Sequence, residues 1–211
     1  MSTTERTPTR ISVATGPVAR WRTIDLLTAA MVGVAFGVVF WGWGVVYSAV
    51  VTPLTTFFQP ASGLVGGVWL MPAVIAALIV RRPGAALLAE LVAANVEFLL
   101  GSHWSTGVLI SGAVQGLGVE LAVAALAWKR WGVGVAVLAG IVAATAESVY
   151  EWFAYIPEWS FAWKLAYLGF FAVSGALLAG VLGHAIVQAL ARAGALRRFP
   201  VAAELRARTR V

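Results

Sequence analysis

The 211-residue chain contains no cysteine, and only 11% of its residues are charged. Without cysteine there is no disulfide framework, no thiolate metal site and no cysteine nucleophile. Soluble domains are about 25% charged and about 45–50% apolar, whereas this chain is 61% hydrophobic with a mean hydropathy of +0.88. That leaves too little polar surface to cover a water-soluble globule, which excludes a cytosolic enzyme, a disordered chain and a coiled coil. A lipid bilayer is the solvent that suits such a composition. Also missing are a glycine-rich phosphate loop ending in Lys-Ser/Thr and any soluble stretch able to bind ATP, so energy for pumping would have to come from another subunit. Two histidines, His103 in an outer loop and His184 low on the last span, lie at depths too different for a metal site.

What is present is a set of long apolar runs. Six are expected to span, at approximately 24–47, 64–80, 84–100, 107–128, 132–153 and 165–190, against the ~20 residues that cross a core about 30 Å thick. The first run is too long for a signal-peptide core and should remain as the first helix. The basic residues then sort by side. Arg6, Arg10, Arg20 and Arg22 precede span one; Arg81 and Arg82 follow span two; Lys129 and Arg130 follow span four. Arg192, Arg197, Arg198, Arg206, Arg208 and Arg210 follow span six, so 14 of the 15 Lys and Arg share one side and only Lys164 lies on the other. The expectation is an all-α, integral membrane six-helix bundle with both termini cytoplasmic. It divides into a cytoplasmic N-terminal segment (1–23), a membrane domain (24–190) and a basic cytoplasmic tail (191–211) able to touch anionic lipid. The net charge of +6 is thus a topology signal, and no nucleic-acid partner is expected.

Five glutamates fall inside these spans, Glu90, Glu97, Glu120, Glu147 and Glu151, joined by Asn95 and Gln115. A carboxylate inside a bilayer costs roughly 2.5–3.5 kcal/mol on insertion scales and marks a functional site by default. No Lys or Arg lies within a span except Lys164 at the outer edge of the sixth. Either several acids are protonated or bonded to neutral partners, or a cation from outside sits among them. Glu90 and Glu97 are seven residues apart, so a helix leaves them within about 20° of one face. Glu147 and Glu151, one turn apart, share a face of span five. Gln115 and Glu120 bracket the midplane of span four. Most of the set converges on the outer half of the bundle, which suits a pocket opening outward.

Aromatic residues crowd the same level: Trp41, Trp43 and Tyr47 on span one, Trp69 on span two and Trp104 in an outer loop. Tyr150, Trp152, Tyr155, Trp159 and Trp163 gather around the last outer loop. An interfacial belt explains some of them. Ten tryptophans exceed what anchoring demands, and an acidic pocket walled by aromatics suits a flat organic cation. The candidate site is Glu90, Glu97, Gln115, Glu120, Glu147 and Glu151 with walls of Trp69, Trp104 and Tyr150, and the 48–63 loop as a lid. The competing readings are water-exposed Glu147 and Glu151 near the interface, and a protonated, helix-bridging Glu120. His103 is as apt to cap its loop as to touch a ligand. On span one, Ala29, Gly33 and Gly37 form a small-residue stripe at four-residue spacing, read equally as packing within the bundle or as a surface for another helix.

The stretch Arg82-Pro83-Gly84-Ala85-Ala86-Leu87-Leu88-Ala89-Glu90-Leu91-Val92-Ala93, continuing through Glu97, Gly101 and Trp104, resembles the YkoE-type substrate-binding component of energy-coupling factor (ECF) transporters. Ser111-Gly112 followed by Gln115-Gly116-Leu117-Gly118-Val119-Glu120-Leu121 does so too. The resemblance implies a multi-pass plasma-membrane subunit, with six helices and cytoplasmic termini, that binds a vitamin and is no enzyme. Its implied ligand is thiamine or the hydroxymethylpyrimidine (HMP) precursor, with no cofactor and no metal. It implies as partners a transmembrane coupling subunit and two cytoplasmic ATPases, with Ala29, Gly33 and Gly37 resembling the docking surface. Thiamine's thiazolium cation and aminopyrimidine ring match uncompensated glutamates and aromatic walls. The alternatives are a stand-alone proton-coupled carrier using Glu90 or Glu120, or a membrane enzyme using paired carboxylates. The latter finds no Ser/His/Asp set and no metal motif in the chain.

Overall fold

A computed structural model describes residues 20–102 and 104–209. The expectations placed on Arg6, Arg10, His103 and Arg210 therefore lie outside the described residues. Within them every regular element is helical: α1 (Thr23–Thr55), a 3₁₀ segment (Gln59–Leu70), α2 (Met71–Val80), α3 (Ala85–Leu99), α4 (Gly107–Ala125) and α5 (Val133–Ala154). Then come α6 (Phe161–Ser174), a π segment (Gly175–Leu182), α7 (Gly183–Arg192) and α8 (Pro200–Thr209). The π segment continues α6 into α7, so Phe161–Arg192 is one 32-residue rod.

Five segments are long and apolar enough to cross a membrane: Thr23–Thr55, Gln59–Val80, Gly107–Ala125, Val133–Ala154 and Phe161–Arg192. The expected third span is shorter than the sequence suggested. Its helix, α3, has 15 residues, or about 22 Å at about 1.5 Å per residue. Two turns trim it. Arg81 and Gly84 sit at φ 56° and 87°, closing α2 and opening α3, and Gly101 at φ 93° follows its end. A left-handed backbone costs glycine little and stops the helix there.

Small residues set the packing. Gly33 and Gly37 of α1 press on α3, where an added Cβ would lie 2.5 Å from the Ala89 carbonyl oxygen and 2.5 Å from Val96 Cβ respectively. Ala29 belongs to the same buried row. Of the two readings of the Ala29, Gly33 and Gly37 stripe, packing within the bundle is the one that these contacts describe: α3 lies against Gly33 and Gly37. The opposite side of α1 is the free one, with Leu27, Met31, Val34, Val38 and Val45 exposed.

The 3₁₀ segment has the same logic at a different period. Three residues per turn align positions i and i+3, and Gly63 and Gly66 lie against the Tyr167 carbonyl and the Phe171 ring. Next to them the Gly67 N–H donates to Ser174 Oγ at 2.9 Å. Pro72, at the second position of α2, needs no N–H there. All ten residues of α2 are buried, which makes it the axis of the bundle.

At the end bearing the arginines, Asp25 is fully buried and accepts from the Arg22 backbone N–H at 2.9 Å and its guanidinium at 2.6 Å, with Arg82 Nε at 3.9 Å. The Arg22 guanidinium also donates to the Arg198 carbonyl at 3.4 Å and lies 5.6 Å from the Phe199 ring centre. Arg81 pairs with Glu204 and stacks 5.2 Å from the Trp131 ring. The segment expected as a basic tail is thus partly core: Leu196, Phe199, Val201 and Ala202 are buried, and α8 is tied down by charge.

Candidate functional site

A partly open pocket lies between α1, the 3₁₀ segment, α3, α4, α5 and α6. It is concave, mixes aromatic walls with a few convergent polar groups, and so has the make-up of a small-ligand site. Its walls are built from the helix faces that the periodicities predicted. Glu90 and Glu97 both point inward from α3, as do Glu147 and Glu151 from α5, with Gln115 from α4, Trp69 from the 3₁₀ segment and Trp104 from the α3–α4 loop.

Each carboxylate has a distinct setting. Glu90 is completely buried; Oε2 accepts from the Ala73 backbone N–H at 3.0 Å. Ala73 lies in the first turn of α2, whose unpaired N–H groups and dipole favour a negative group. Glu97 Oε1 accepts from Ser102 Oγ at 3.1 Å, and the Trp104 N–H donates to the same hydroxyl oxygen at 3.2 Å. Glu97 thereby holds the turn that carries Trp104. Tyr167 donates its phenol to Glu151 Oε2 at 2.5 Å, and Glu147 lies beside Ser111 and Gln115. One oxygen on each of Glu90, Glu97 and Glu147 is buried with no hydrogen-bond partner. Among the described residues no Lys, Arg or His lines the cavity.

The aromatic wall is a cluster of edge-to-face rings. Trp104 lies 5.5 Å from Tyr47, 6.4 Å from Trp69 and 6.1 Å from Tyr155, and Tyr47 lies 5.4 Å from Trp69. Such contacts fix ring orientation before a ligand arrives. Burial, with the neighbouring Tyr150 phenol, pushes the Tyr155 hydroxyl up to about 12, so it is neutral and able to donate at neutral pH.

Two expected members lie elsewhere. Glu120 Oε1 accepts from the Ala86 N–H at 2.9 Å and caps the start of α3 instead of facing the cavity. Tyr150 sits behind Tyr155, with ring centres 6.0 Å apart, and does not line the cavity. Sequence reasoning did not single out Ser111, Phe40, Tyr167 or Phe171, which do. Tyr167 had a usable signal as the one tyrosine of the sixth apolar run, near its outer end; Phe40 and Phe171 had none. From the expected 48–63 lid, Ser62 alone touches the cavity. Asp25 was passed over as an acid inside a span; the structure gives it two arginines and no role here.

Known proteins resemble this chain over most of its length. A family described as the permease component of an ABC-type cobalt transport system matches residues 24–146. YkoE of Bacillus subtilis (strain 168), named as an HMP/thiamine permease protein, is 35% identical over 194 residues, covering 88% of this chain and 92% of that one. The crystal structure of an S component of an ECF transporter matches with a TM-score of 0.81 and 34% identity, over 90% of this chain and 96% of the other.

Proposed function

The chain belongs to the YkoE-like substrate-binding S components of ECF transporters, and from that premise we propose that it captures thiamine, or its HMP precursor, in the cavity between α1 and α6. It is a membrane transport subunit and not an enzyme, and its bound molecule is a transported ligand and not a cofactor. The observation that carries the ligand reading is the charge of the cavity. Glu90, Glu97, Glu147 and Glu151 meet there without a basic side chain among the described residues, inside a cage of Tyr47, Trp69, Trp104 and Tyr155. A thiazolium supplies the missing positive charge, aromatic faces stack on both thiamine rings, and the partnerless carboxylate oxygens accept from an aminopyrimidine. The cobalt of the family's description suits this cavity less well. Among the described residues no group of three or more His, Cys, Asp or Glu is placed to hold a metal.

The topology proposed is six-spanning in the plasma membrane. Residues 1–23 and 191–211 lie in the cytoplasm on either side of the 24–190 membrane domain. The positive-inside sorting of arginines supports it, as does the place of α3 packed between α1 and α4, where a short helix can cross while shielded from lipid. Membership in the family implies an ECF module as partner. We read that module as a transmembrane coupling subunit with two ATPases, docking on a surface other than the filled α1 stripe.

Titration calorimetry of the detergent-purified protein tests the ligand. Saturable binding of thiamine or HMP is expected, and no heat from either at saturating concentration would overturn the assignment.

A further inference from the structure

Four carboxyl groups line one pocket, and the donors beside them are neutral: the Ala73 N–H on Glu90, the Ser102 hydroxyl and the Trp69 indole on Glu97, the Tyr167 phenol on Glu151, and Ser111 and Gln115 beside Glu147. The other titratable groups facing them are the phenols of Tyr47 from α1 and of Tyr155 after α5. Glu90 and Glu97 of α3 face Glu147 and Glu151 of α5 across the same pocket, the last two standing one helical turn apart. Both Glu90 and Glu147 line the cavity, are almost fully buried and keep one oxygen without a hydrogen-bond partner. Two negative charges so placed, with no cation between them, cannot both persist in a medium of low dielectric.

We propose that the ligand-free cavity holds a proton on the Glu90–Glu147 pair, and that the ligand is an organic cation taken up in exchange for that proton. On binding, the carboxyl O–H bond breaks, the proton leaves to water, and the cation takes its place beside the new carboxylate. The net charge of the cavity is the same before and after. This deepens the reading of the cavity as a vitamin site and rests on it. It also divides the two proposed ligands. Thiamine brings a permanent charge and expels the proton; HMP is uncharged at neutral pH and leaves it in place. Cation selectivity therefore rises with pH.

The test is calorimetry of the intact protein in buffers of differing ionisation enthalpy, with thiamine and HMP, between about pH 6.5 and 8.5. Thiamine is expected to release close to one proton per molecule bound and to bind about tenfold more tightly per pH unit, while HMP releases none and binds independently of pH. His103→Ala should keep the release, and Glu147→Gln should abolish it together with the pH dependence. Thiamine binding that is flat with pH and buffer would overturn the exchange and leave the vitamin reading standing; loss of the release in His103→Ala would overturn the carboxyl assignment. If neither ligand binds, the vitamin reading and the exchange with that ligand both fail, and infrared spectroscopy of the ligand-free protein tests the resident proton by itself. A protonated-carboxyl carbonyl band at neutral pH, diminished in Glu147→Gln, supports it; absence of that band in the unsubstituted protein overturns it.

Discussion

The Glu90 carboxylate accepts the Ala73 backbone N–H at 3.0 Å, which joins the start of α2 to the wall of the ligand cavity. The 3₁₀ segment ends at Leu70 and α2 begins at Met71, so a helix terminus opens inside the bundle, where its N–H groups need acceptors. Glu120 does the same for α3 through Ala86 at 2.9 Å. Two of the five membrane glutamates thus answer helix starts, and only one of those two also faces the cavity.

Replacing Glu90 separates its two tasks. Glu90→Gln retains an acceptor for Ala73 but removes the charge, and should weaken thiamine binding by about 1.5–3 kcal/mol, roughly 10- to 150-fold. Glu90→Leu should also lower the melting temperature, because the Ala73 N–H is left buried and unpaired at a cost of about 1–3 kcal/mol. An unchanged dissociation constant in the glutamine variant removes Glu90 from the binding site.

Glu120→Ala is expected to give the opposite pattern. Loss of a helix cap costs about 0.5–2 kcal/mol, so thermal unfolding in detergent should shift down while thiamine affinity stays within about twofold of the original. A tenfold loss of affinity at full folding would put this carboxylate back in the site.

Trp104 touches Tyr47, Trp69 and Tyr155 through ring edges, so Trp104→Ala both opens the wall and removes a face for the cation. Affinity should fall about 2- to 30-fold, the span of one cation–π contact of about 0.5–2 kcal/mol. Trp104→Phe should recover part of it. Quenching of intrinsic fluorescence by ligand reads both, and equal affinity in all three proteins would place the ligand away from this ring.

Gly37→Val tests the packing of the small-residue stripe against α3. The new side chain meets Val96 and the Ala93 carbonyl, and overpacking of this kind costs about 1–3 kcal/mol. The melting temperature of the isolated protein should drop with no coupling subunit present. An unaltered melt would mean that α1 and α3 are not in close contact, which would restore the stripe as an outside surface.

The pair of Arg81 with Glu204 holds α8 against the end of α2. Glu204→Gln should loosen that helix and speed proteolysis in the 193–199 connection. The charge swap Arg81→Glu with Glu204→Arg should restore much of the protection. Equal cleavage rates in all three would show that apolar burial of Phe199 and Val201 suffices.

Composition and charge order, by themselves, determined that this is an all-helical membrane protein, because 61% apolar content admits no other solvent. Helical periodicity determined that Glu90 and Glu97, and Glu147 and Glu151, would face one way in pairs, since 3.6 residues per turn leaves little freedom. The motif around Glu90 also carried the family. What periodicity cannot supply is the partner of each face. Ala29, Gly33 and Gly37 look alike whether the approaching helix is α3 or another protein, and only packing set Gly33 and Gly37 against α3. Glu120 could not be told from Glu90 by residue type or depth, because what separates them is a backbone N–H freed where a distant helix begins. The cavity belongs to the tertiary structure for the same reason. Its walls come from separate elements along the chain, and the lack of a basic side chain to meet its carboxylates, among the described residues, is a property of their meeting and of no single segment.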